Sequence, residues 1–579
     1  MKKIAFRSVT LFVCILFLTV IVSASSYTAT TGGTSESIDW SDIEKEAILS
    51  ALYEADISAL RQAISVGLIT CEELTAYYLE RIEAYNAPYN CFITICEDAL
   101  SVARQRDQQL ANGQAEGLLF GVPVVIKDNI NLSGYHTTNG HGKDDTQIAE
   151  SNAAIVDHLL SQGAVIIAKT NMSTDAQEAH RTISDIVGET KNAYSPYLAS
   201  GGSSGGSAVA VSLNFAAAGL GTDTNSSLRL PAALSGCVSL RSGLKKISTE
   251  GITPLSISRD VPGAITRTVY DQAILLDVLT EGAYNYTGNL NANVLDGLRI
   301  GILTELSYAV PEDKLRTEET IDPEVAAAFA NAVTELESLG AEVVPVSIPD
   351  LFELSEKTFG YGNTSAYKTA LYESFLSTLE NNDISAVIFP TYLSTPLRSG
   401  RDASGKHWNV WTQTFINNCR NLSSCAKLPE ISIPIGTHSL GSGIGMEIAA
   451  PRNCEQLLLD IAYSYTNSYD HRTLPAGAPD TYAQNNVGTL EELIEAYQSF
   501  LSTLEPSPEP SPEPTTESSP PPSVEPTQTP EPVPSATVPP SFPPKDPPSE
   551  NPGLTAAEFL WVWFTSVVTR FIESIISLF

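Results

Sequence analysis

Short apolar runs alternate with amphipathic stretches along most of the chain. Six runs have the length and composition of buried strands: GVPVVIK, GAVIIAKT, GLRIGIL, AEVVPVSI, SAVIFPT and PEISIPI. A helical pattern over residues 40–86 precedes them, and an amphipathic helical pattern over residues 323–339 lies among them. Alternation at this spacing predicts an α/β fold with a mainly parallel sheet covered by helices. No internal repeat is visible.

The N-terminal pattern differs from the rest of the chain. Residues 1–24 begin with two lysines, continue with an apolar core and end in Val22-Ser23-Ala24. This order of basic, apolar and small residues predicts a secretory signal peptide that is removed from the mature protein. An uncleaved membrane anchor is the alternative, although the apolar run is short for a full span. We therefore expect a secreted or cell-surface protein.

Two further segments follow the globular part, which we assign to residues 25–504. Residues 505–552 are rich in Pro, Glu, Ser and Thr, a composition that predicts a disordered, extended spacer. Residues 553–579 have an apolar face opposite a polar face that holds Arg570 and Glu573. This amphipathic tail is expected to bind a membrane surface, a cell-envelope partner or another copy, and a C-terminal anchor is the alternative.

Composition excludes some classes of partner. The 67 acidic residues outnumber the 33 basic ones, and the net charge of −34 argues against nucleic acid as a partner. The seven histidines are scattered, and His136 and His141 lack the spacing of a metal-ligand pair. We expect neither a metal nor a cofactor.

Seven cysteines remain after the predicted signal peptide. Export would permit disulfides, and the short separations make Cys91–Cys96 and Cys419–Cys425 the candidate pairs. None of the cysteines has a catalytic signature. Buried structural thiols are therefore the preferred interpretation.

The most informative stretch is residues 200–231, SGGSSGGSAVAVSLNFAAAGLGTDTNSSLRLP. It contains a Gly/Ser loop, a run of small residues with a helical pattern, and a second turn that ends in Ser227. Upstream, the apolar run GVPVVIKDN carries Lys127 at its end. Burial lowers the pKa of a lysine, so a buried lysine beside two serines could activate a serine nucleophile without histidine.

These motifs resemble the amidase signature family, whose pattern is GGSSGGSA followed by GTD-x-GGS-x-R-x-P. The first part is complete here, and Ser203 and Ser227 keep the family separation of 24 residues. The resemblance covers roughly residues 40–480. It implies a central mixed sheet between helices, a Ser227 nucleophile, a proton relay through Ser203 on a cis peptide, and Lys127 as base.

The resemblance also assigns supporting roles. Asp223 and Arg229, which flank the nucleophile, are expected to brace its loop. The backbone N–H groups expected to hold the oxyanion belong to Thr224, Asn225, Ser226 and Ser227. The family usually has glycines at 225 and 226, so we expect either backbone strain in the loop or an altered oxyanion hole. A short stretch between residues 344 and 387 also departs from the family and predicts a more open pocket.

The sequence thus predicts an exported amidase that hydrolyses a small-molecule or peptide amide without a cofactor. The sequence of residues 258–273 and the export signal resemble those of peptide and small-molecule amidases more than those of the tRNA-dependent amidotransferase chains of the family. Two alternatives remain open. One is a catalytically silent surface module with an amidase fold, and the other is an esterase that uses the same three residues.

Overall fold

The computed structural model describes residues 43–142, 148–307, 321–359, 364–394, 396–400 and 417–504. The chain divides into two units, Met1–Pro506 and Ser507–Phe579, and every described residue belongs to the first. The predicted signal peptide, spacer and amphipathic tail lie outside the described residues. Within those ranges, no helix has both the length and the apolar character that a membrane span requires.

Thirteen strands are present in the described ranges. They are β1 Phe92–Ile95, β2 Pro123–Lys127, β3 Val165–Thr170, β4 Thr182–Ser184, β5 Gly188–Thr190, β6 Ala218–Asp223, β7 Val238–Arg241, β8 Val261–Thr266, β9 Arg299–Leu303, β10 Glu342–Val346, β11 Ala386–Pro390, β12 Glu430–His438 and β13 Ser442–Ala449. All six predicted strand runs are confirmed.

Fifteen α-helices accompany them in the same ranges. They are α1 Lys45–Ala51, α2 Ile57–Val66, α3 Cys71–Tyr85, α4 Ala99–Ala111, α5 Ala154–Ser161, α6 Gly205–Ser212, α7 Arg229–Leu234, α8 Val269–Leu279, α9 Thr304–Ser307, α10 Pro323–Ser338, α11 Leu351–Lys357, α12 Ser365–Asn382, α13 Ser423–Ala426, α14 Glu455–Ser468 and α15 Leu490–Leu504. Short 3₁₀ turns cover Thr174–Ala176, Thr287–Asn289, Asn418–Arg420 and Ala483–Asn485.

Local sequence signals set several helix ends. Thr70 and Glu73 form a reciprocal capping box at the start of α3. The Asp322 carboxylate accepts from two backbone N–H groups at the start of α10, and Pro323 follows at the first helical position. The helical stretch predicted over residues 40–86 is not continuous, because α1, α2 and α3 are separated by breaks.

Eleven strands form one mixed sheet in the order β1-β3-β2-β6-β8-β7-β12-β13-β11-β9-β10. Helices flank this sheet, which confirms the α/β class and the mixed sheet that the family resemblance implies. The mainly parallel arrangement inferred from alternation is wrong. The strand pairs β3/β2, β2/β6, β11/β9 and β9/β10 are parallel, whereas the ladders from β6 through β8, β7, β12 and β13 to β11 are antiparallel.

One antiparallel pair in the middle of the sheet has a local cause. Strands β12 and β13 form a hairpin whose outermost paired residues are His438 and Ser442, with Gly441 in the turn at φ +86°. Glycine adopts this left-handed conformation without steric cost. A tight turn joins antiparallel strands, whereas parallel strands need a longer crossover.

The neighbouring parallel strands β2 and β6 position the candidate site. Every residue of β2 and β6 is buried, and each strand carries a polar side chain at its carboxyl end. Lys127 ends β2, and Thr222 and Asp223 end β6. The carboxyl ends of parallel strands are where α/β sheets commonly place their ligands.

Candidate active site

The Gly/Ser loop and the first turn of α6 that follows it are each packed too tightly for a side chain at one glycine. A Cβ atom on Gly202 would lie 2.3 Å from the carbonyl oxygen of Arg181, and one on Gly206 would lie 2.3 Å from that of Asn171. Backbone therefore packs directly on backbone around Ser203, which is itself fully buried. The Gly202–Ser203 peptide bond is cis, as the family resemblance implies.

Lys127 and Ser203 meet in the interior. The Lys127 amine donates to Oγ of Ser203 over 2.7 Å and to Oγ1 of Thr222 over 2.8 Å. Asn129 Nδ2 donates to the same Thr222 oxygen over 3.2 Å. Sequence reasoning assigned no role to Thr222 or Asn129, although both lie within the motifs GTD and GVPVVIKDN. These contacts hold the amine between two hydroxyl groups.

The environment of Lys127 favours its neutral form. The residue is fully buried, and burial lowers the pKa of its amine from 10.5 to about 7, against the opposing influence of the Asp223 and Asp260 carboxylates. A lysine with such a pKa is partly neutral at physiological pH. Its lone pair can then accept a proton from a hydroxyl group.

Ser227 lies on the turn between β6 and α7. Its carbonyl oxygen accepts from the Ser204 N–H over 3.1 Å, which ties this turn to the residue after Ser203. In the part of the chain that the structure describes, no hydrogen bond joins the hydroxyl groups of Ser203 and Ser227. The structure therefore brings Lys127 and Ser203 into contact and leaves the hydroxyl of Ser227 available.

The four predicted oxyanion donors share this turn. Among the described residues, no acceptor takes a hydrogen bond from the backbone N–H groups of Thr224, Asn225, Ser226 and Ser227. The expected strain is absent, because neither Asn225 nor Ser226 has a positive φ. Their side chains make contacts instead: Ser226 Oγ accepts from Asn417 Nδ2 over 2.9 Å, and Asn225 Oδ1 accepts from Arg259 over 3.4 Å.

A buried ionic network supports the turn. The Asp223 carboxylate accepts from the Leu228 N–H over 3.2 Å, from Arg229 Nε over 3.1 Å and from Arg241 over 3.0 Å. Burial by itself would raise the pKa of Asp223, but the two arginines hold it below its usual value. Arg229 also donates to the Asn225 carbonyl oxygen over 3.0 Å. These bonds link the beginning and the end of the nucleophile turn.

Two glutamates complete the network beside Arg229. Glu430 and Glu447 both pair with its guanidinium, and all three side chains are fully buried. Burial raises the pKa of Glu430 well above its usual value, with Glu447 reinforcing the shift and Arg229 opposing it. Burial and Glu447 thus make Glu430 easier to protonate, whereas its pairing with Arg229 favours the carboxylate.

A cavity of about 250 Å³ opens beside this centre. Its lining includes Asn129, Thr222, Thr224, Ile252, Pro254 and Asp260. Asp260 accepts from the Thr224 hydroxyl over 2.6 Å and from the N–H groups of Leu255 and Ser256. The polar atoms nearest the centre and the apolar loop beyond them could hold an uncharged part of a substrate.

Other chemistry predicted or excluded from the sequence can now be placed. All seven cysteines of the described chain are free thiols, and six of them are buried, so the candidate pairs Cys91–Cys96 and Cys419–Cys425 are wrong and the structural-thiol interpretation is confirmed. Cys91 and Cys96 stand just outside opposite ends of β1, which keeps them apart. His141 pairs with Asp175 over 2.6 Å. The described ranges contain no cluster of metal-ligating side chains.

Comparison with known proteins decides the family. A family model described as Amidase matches residues 73–358. A glutamyl-tRNA(Gln) amidotransferase subunit from Thermosynechococcus vestitus is 30% identical over 468 residues, which cover 68% of this chain and 93% of that protein. The chain belongs to the amidase signature family.

Further similarities agree with this assignment. The corresponding glutamyl-tRNA(Gln) amidotransferase subunit from Caldanaerobacter subterraneus is 28% identical over 73% of this chain and 98% of its own length. The crystal structure of native peptide amidase from Stenotrophomonas maltophilia superposes with a TM-score of 0.63 at 25% identity, covering 74% of this chain and all of that one. This protein is therefore an amidase-family hydrolase that acts on C–N bonds.

Proposed function

We propose that the protein hydrolyses small-molecule or peptide carboxamides through an acyl-enzyme on Ser227, with Ser203 as proton relay and Lys127 as base. The observation that carries the proposal is the 2.7 Å contact between the amine of a fully buried Lys127 and the hydroxyl of Ser203. An amide is a poor electrophile, so its cleavage needs an activated nucleophile and donors for the oxyanion. The proposal assigns the activation to Lys127 through Ser203 and the donors to the backbone N–H groups of the Ser227 turn.

The reaction would proceed in two halves. Ser227 attacks the amide carbonyl while Ser203 accepts its proton and passes its own to neutral Lys127. The developing oxyanion is held by the backbone N–H groups of the turn, which have no acceptor among the described residues. The proton returns through Ser203 to the departing amine. Water then releases the acyl group, and its proton follows the same path. This scheme requires the hydroxyl of Ser227 to approach Ser203 when substrate fills the site.

The pH dependence of kcat/KM follows from the proposed base. Only neutral Lys127 can accept a proton, and burial lowers its pKa to about 7. We therefore expect kcat/KM of the full chain to rise about tenfold per pH unit below pH 7 and to level off above it. Amine release from a panel of carboxamides between pH 5 and 9 measures the profile. A rate that falls as the pH rises through 7 would contradict Lys127 as the base.

A second candidate function has one specific observation in its favour. Curated relatives with 28–30% identity belong to glutamyl-tRNA(Gln) amidotransferase, of which each is one subunit. A chain with that role would need partner subunits and charged tRNA to complete its reaction, whereas the proposed amidase releases amine from simple amides alone. The net charge of −34 and the predicted export favour the amidase.

The silent-module and esterase alternatives are separated by activity. Two features suggest the silent module: Asn225 and Ser226 in the nucleophile turn, and the amphipathic C-terminal tail. Neither Asn225 nor Ser226 has a positive φ. Cleavage of an amide by the wild-type chain rejects it. Matched esters and amides of one acid, compared by kcat/KM, distinguish an amidase from an esterase.

We also propose that the protein is exported. Support comes from the basic, apolar and small-residue order of residues 1–24. We expect protein recovered from the cell envelope or the medium to begin at Ser25, which N-terminal peptide mass spectrometry would identify. Recovery from the cytoplasm with residues 1–24 intact would contradict export and leave the chemistry of the site untouched.

A further inference from the structure

Four cations lie close enough together to interact electrostatically, and one of them, Arg259, contacts the nucleophile turn: the four are Arg259, Lys368, Arg420 and Lys427. We call them the basic cluster. None of them lies within ion-pair distance of a carboxylate in the described part of the chain. In a chain with 67 acidic and 33 basic residues, unpaired cations in a group are unexpected, because acidic partners are abundant.

An aromatic ring holds the two arginines. The guanidinium carbon of Arg259 lies 3.9 Å from the ring centre of Phe359, and that of Arg420 lies 5.3 Å from the same centre. Arg259 also donates to Thr358 Oγ1 over 3.2 Å. The same nitrogen of Arg259 also donates to the Thr358 carbonyl oxygen, and Arg259 is buried. The guanidinium of exposed Arg420 has no acceptor among the described residues, so stacking on the ring orients its fork and leaves its N–H groups available for an oxygen ligand.

The cations also influence one another. Lys368 donates to Ser258 Oγ over 3.2 Å. Burial lowers the pKa of the Lys368 amine, and the positive charges of Arg259 and Lys427 lower it further. Burial, with Arg420 reinforcing it, lowers the pKa of Arg259. The mutual repulsion of like charges held together in this way decreases when an anion binds between them.

The basic cluster borders the proposed centre directly. Arg259 donates to Oδ1 of Asn225 over 3.4 Å, and Asn225 lies two residues before Ser227. Arg420 follows Asn417 by three residues, and Asn417 donates to Ser226 over 2.9 Å. Ile257 and Asp260, on either side of Arg259 in the chain, line the 250 Å³ cavity. An extended substrate at Ser227 could therefore reach the cavity with one part and the cluster with another.

We propose that the basic cluster binds a carboxylate of the substrate, so that the protein prefers amides that carry a negative charge near the cleaved bond. This inference rests on the proposed amidase function. A carboxylate fits the planar fork of an arginine through two parallel hydrogen bonds. The net charge of −34 opposes anions at long range, so the cluster must act at short range, within a Debye length of about 8 Å at physiological salt.

Matched substrates test the preference in the full chain. On the acyl side, glutaramate is compared with glutaramide; on the amine side, N-acetylglycine is compared with N-ethylacetamide. We expect kcat/KM for the charged member of at least one pair to exceed that of the neutral member about tenfold or more, because hydrogen bonds to charged groups are the strong ones. The pair that shows the preference identifies the side that carries the carboxylate. Equal rates within both pairs would overturn the inference while leaving the amidase function standing.

Variants assign the preference to the cluster. Arg420 is exposed, so Arg420→Gln removes its charge without opening the core. We expect this change to reduce the charged-to-neutral ratio of kcat/KM about tenfold, mainly through KM, and Arg420→Lys to keep most of the ratio. Arg104→Gln, which removes an exposed cation paired with Glu72 on another part of the surface, is the matched control and should keep the ratio. A ratio unchanged in Arg420→Gln would overturn the inference.

Binding gives a readout that does not depend on turnover. Calorimetric titration of the Ser227→Ala chain with glutarate and with N-acetylglycine should detect at least one of them, with affinity about tenfold lower when Arg420→Gln is added. Failure of both probes to bind at millimolar concentration overturns the carboxylate site. Absence of all turnover together with normal probe binding would instead overturn the amidase function.

Discussion

Replacement of Ser227 by alanine is expected to lower kcat/KM for every amide substrate at least about 10⁴-fold, because it removes the hydroxyl on which the proposed acyl-enzyme forms. Amine release by the full-length wild-type and variant chains measures the loss. Ser65→Ala is a suitable control, since Ser65 is an exposed residue of α2 whose hydroxyl contacts only its own helix. Its kcat/KM should stay within about twofold of wild type.

Folding of the Ser227→Ala chain must be intact for this result to count. The side chain removed is small and its hydroxyl has no hydrogen-bond partner among the described residues, so we expect a free energy of unfolding within about 1 kcal/mol of wild type. A Ser227→Ala chain that folds and still cleaves amides at a near-normal rate would exclude Ser227 as the nucleophile.

Replacement of Lys127 by methionine is expected to lower kcat/KM about 10³-fold or more and to stabilise the protein. The rate falls because the change removes the proposed base, and general bases contribute about 10²–10⁴-fold. Methionine has a similar length but no charge, so it fills the buried space without the cost of desolvating an amine. Activity is measured by amine release, and stability by denaturant unfolding.

The stabilisation should depend on pH. The pKa of Lys127 is about 7 in the folded chain and 10.5 when the residue is exposed. At a pH between 7 and 10.5, this lysine therefore binds fewer protons in the folded chain than in the unfolded chain. The free energy of unfolding of the wild type therefore decreases as the pH falls from 10.5 to 7. The methionine variant has no amine at this position and lacks this decrease. The advantage of Lys127→Met should be greatest at and below pH 7, on the order of a few kcal/mol, and should vanish above pH 10.5. A variant less stable than wild type at pH 6 would contradict a net cost of burying the charged amine.

Local patterns predicted the elements of this fold better than their arrangement. The apolar runs that became β2, β3, β9, β10, β11 and β12 were short, rich in branched residues and bounded by turn signals, so their strand character depends on near neighbours. Parallel or antiparallel pairing depends on distant contacts. In β6 and β8, for example, Gly219 pairs with Ile265, which is far away in sequence. The β12–β13 hairpin depends instead on the short turn Ser439–Gly441, which was not recognised as a reversal.

The candidate site divides in the same way. Lys127, Ser203 and Ser227 were found because each lies in a contiguous motif. Thr222 stands within such a motif and was missed because threonine on a strand is usually structural. Asn417 and Arg259 could not be found, since nothing near them in sequence indicates contact with Ser226 and Asn225. Of the two alternatives expected at residues 225 and 226, backbone strain is absent, because neither residue has a positive φ, and the altered oxyanion hole stays a prediction.

Covalent trapping tests the proposed chemistry most directly. The full-length chain is treated with a fluorophosphonate at pH 8, digested and analysed by mass spectrometry, with Lys127→Met treated in parallel. We predict a single modified serine, Ser227, in the wild-type chain, and labelling at least about 10²-fold slower in Lys127→Met, because the base that activates the hydroxyl is gone. Modification of another serine, or equally fast labelling of both chains, would contradict a Ser227 nucleophile activated through Ser203 and Lys127.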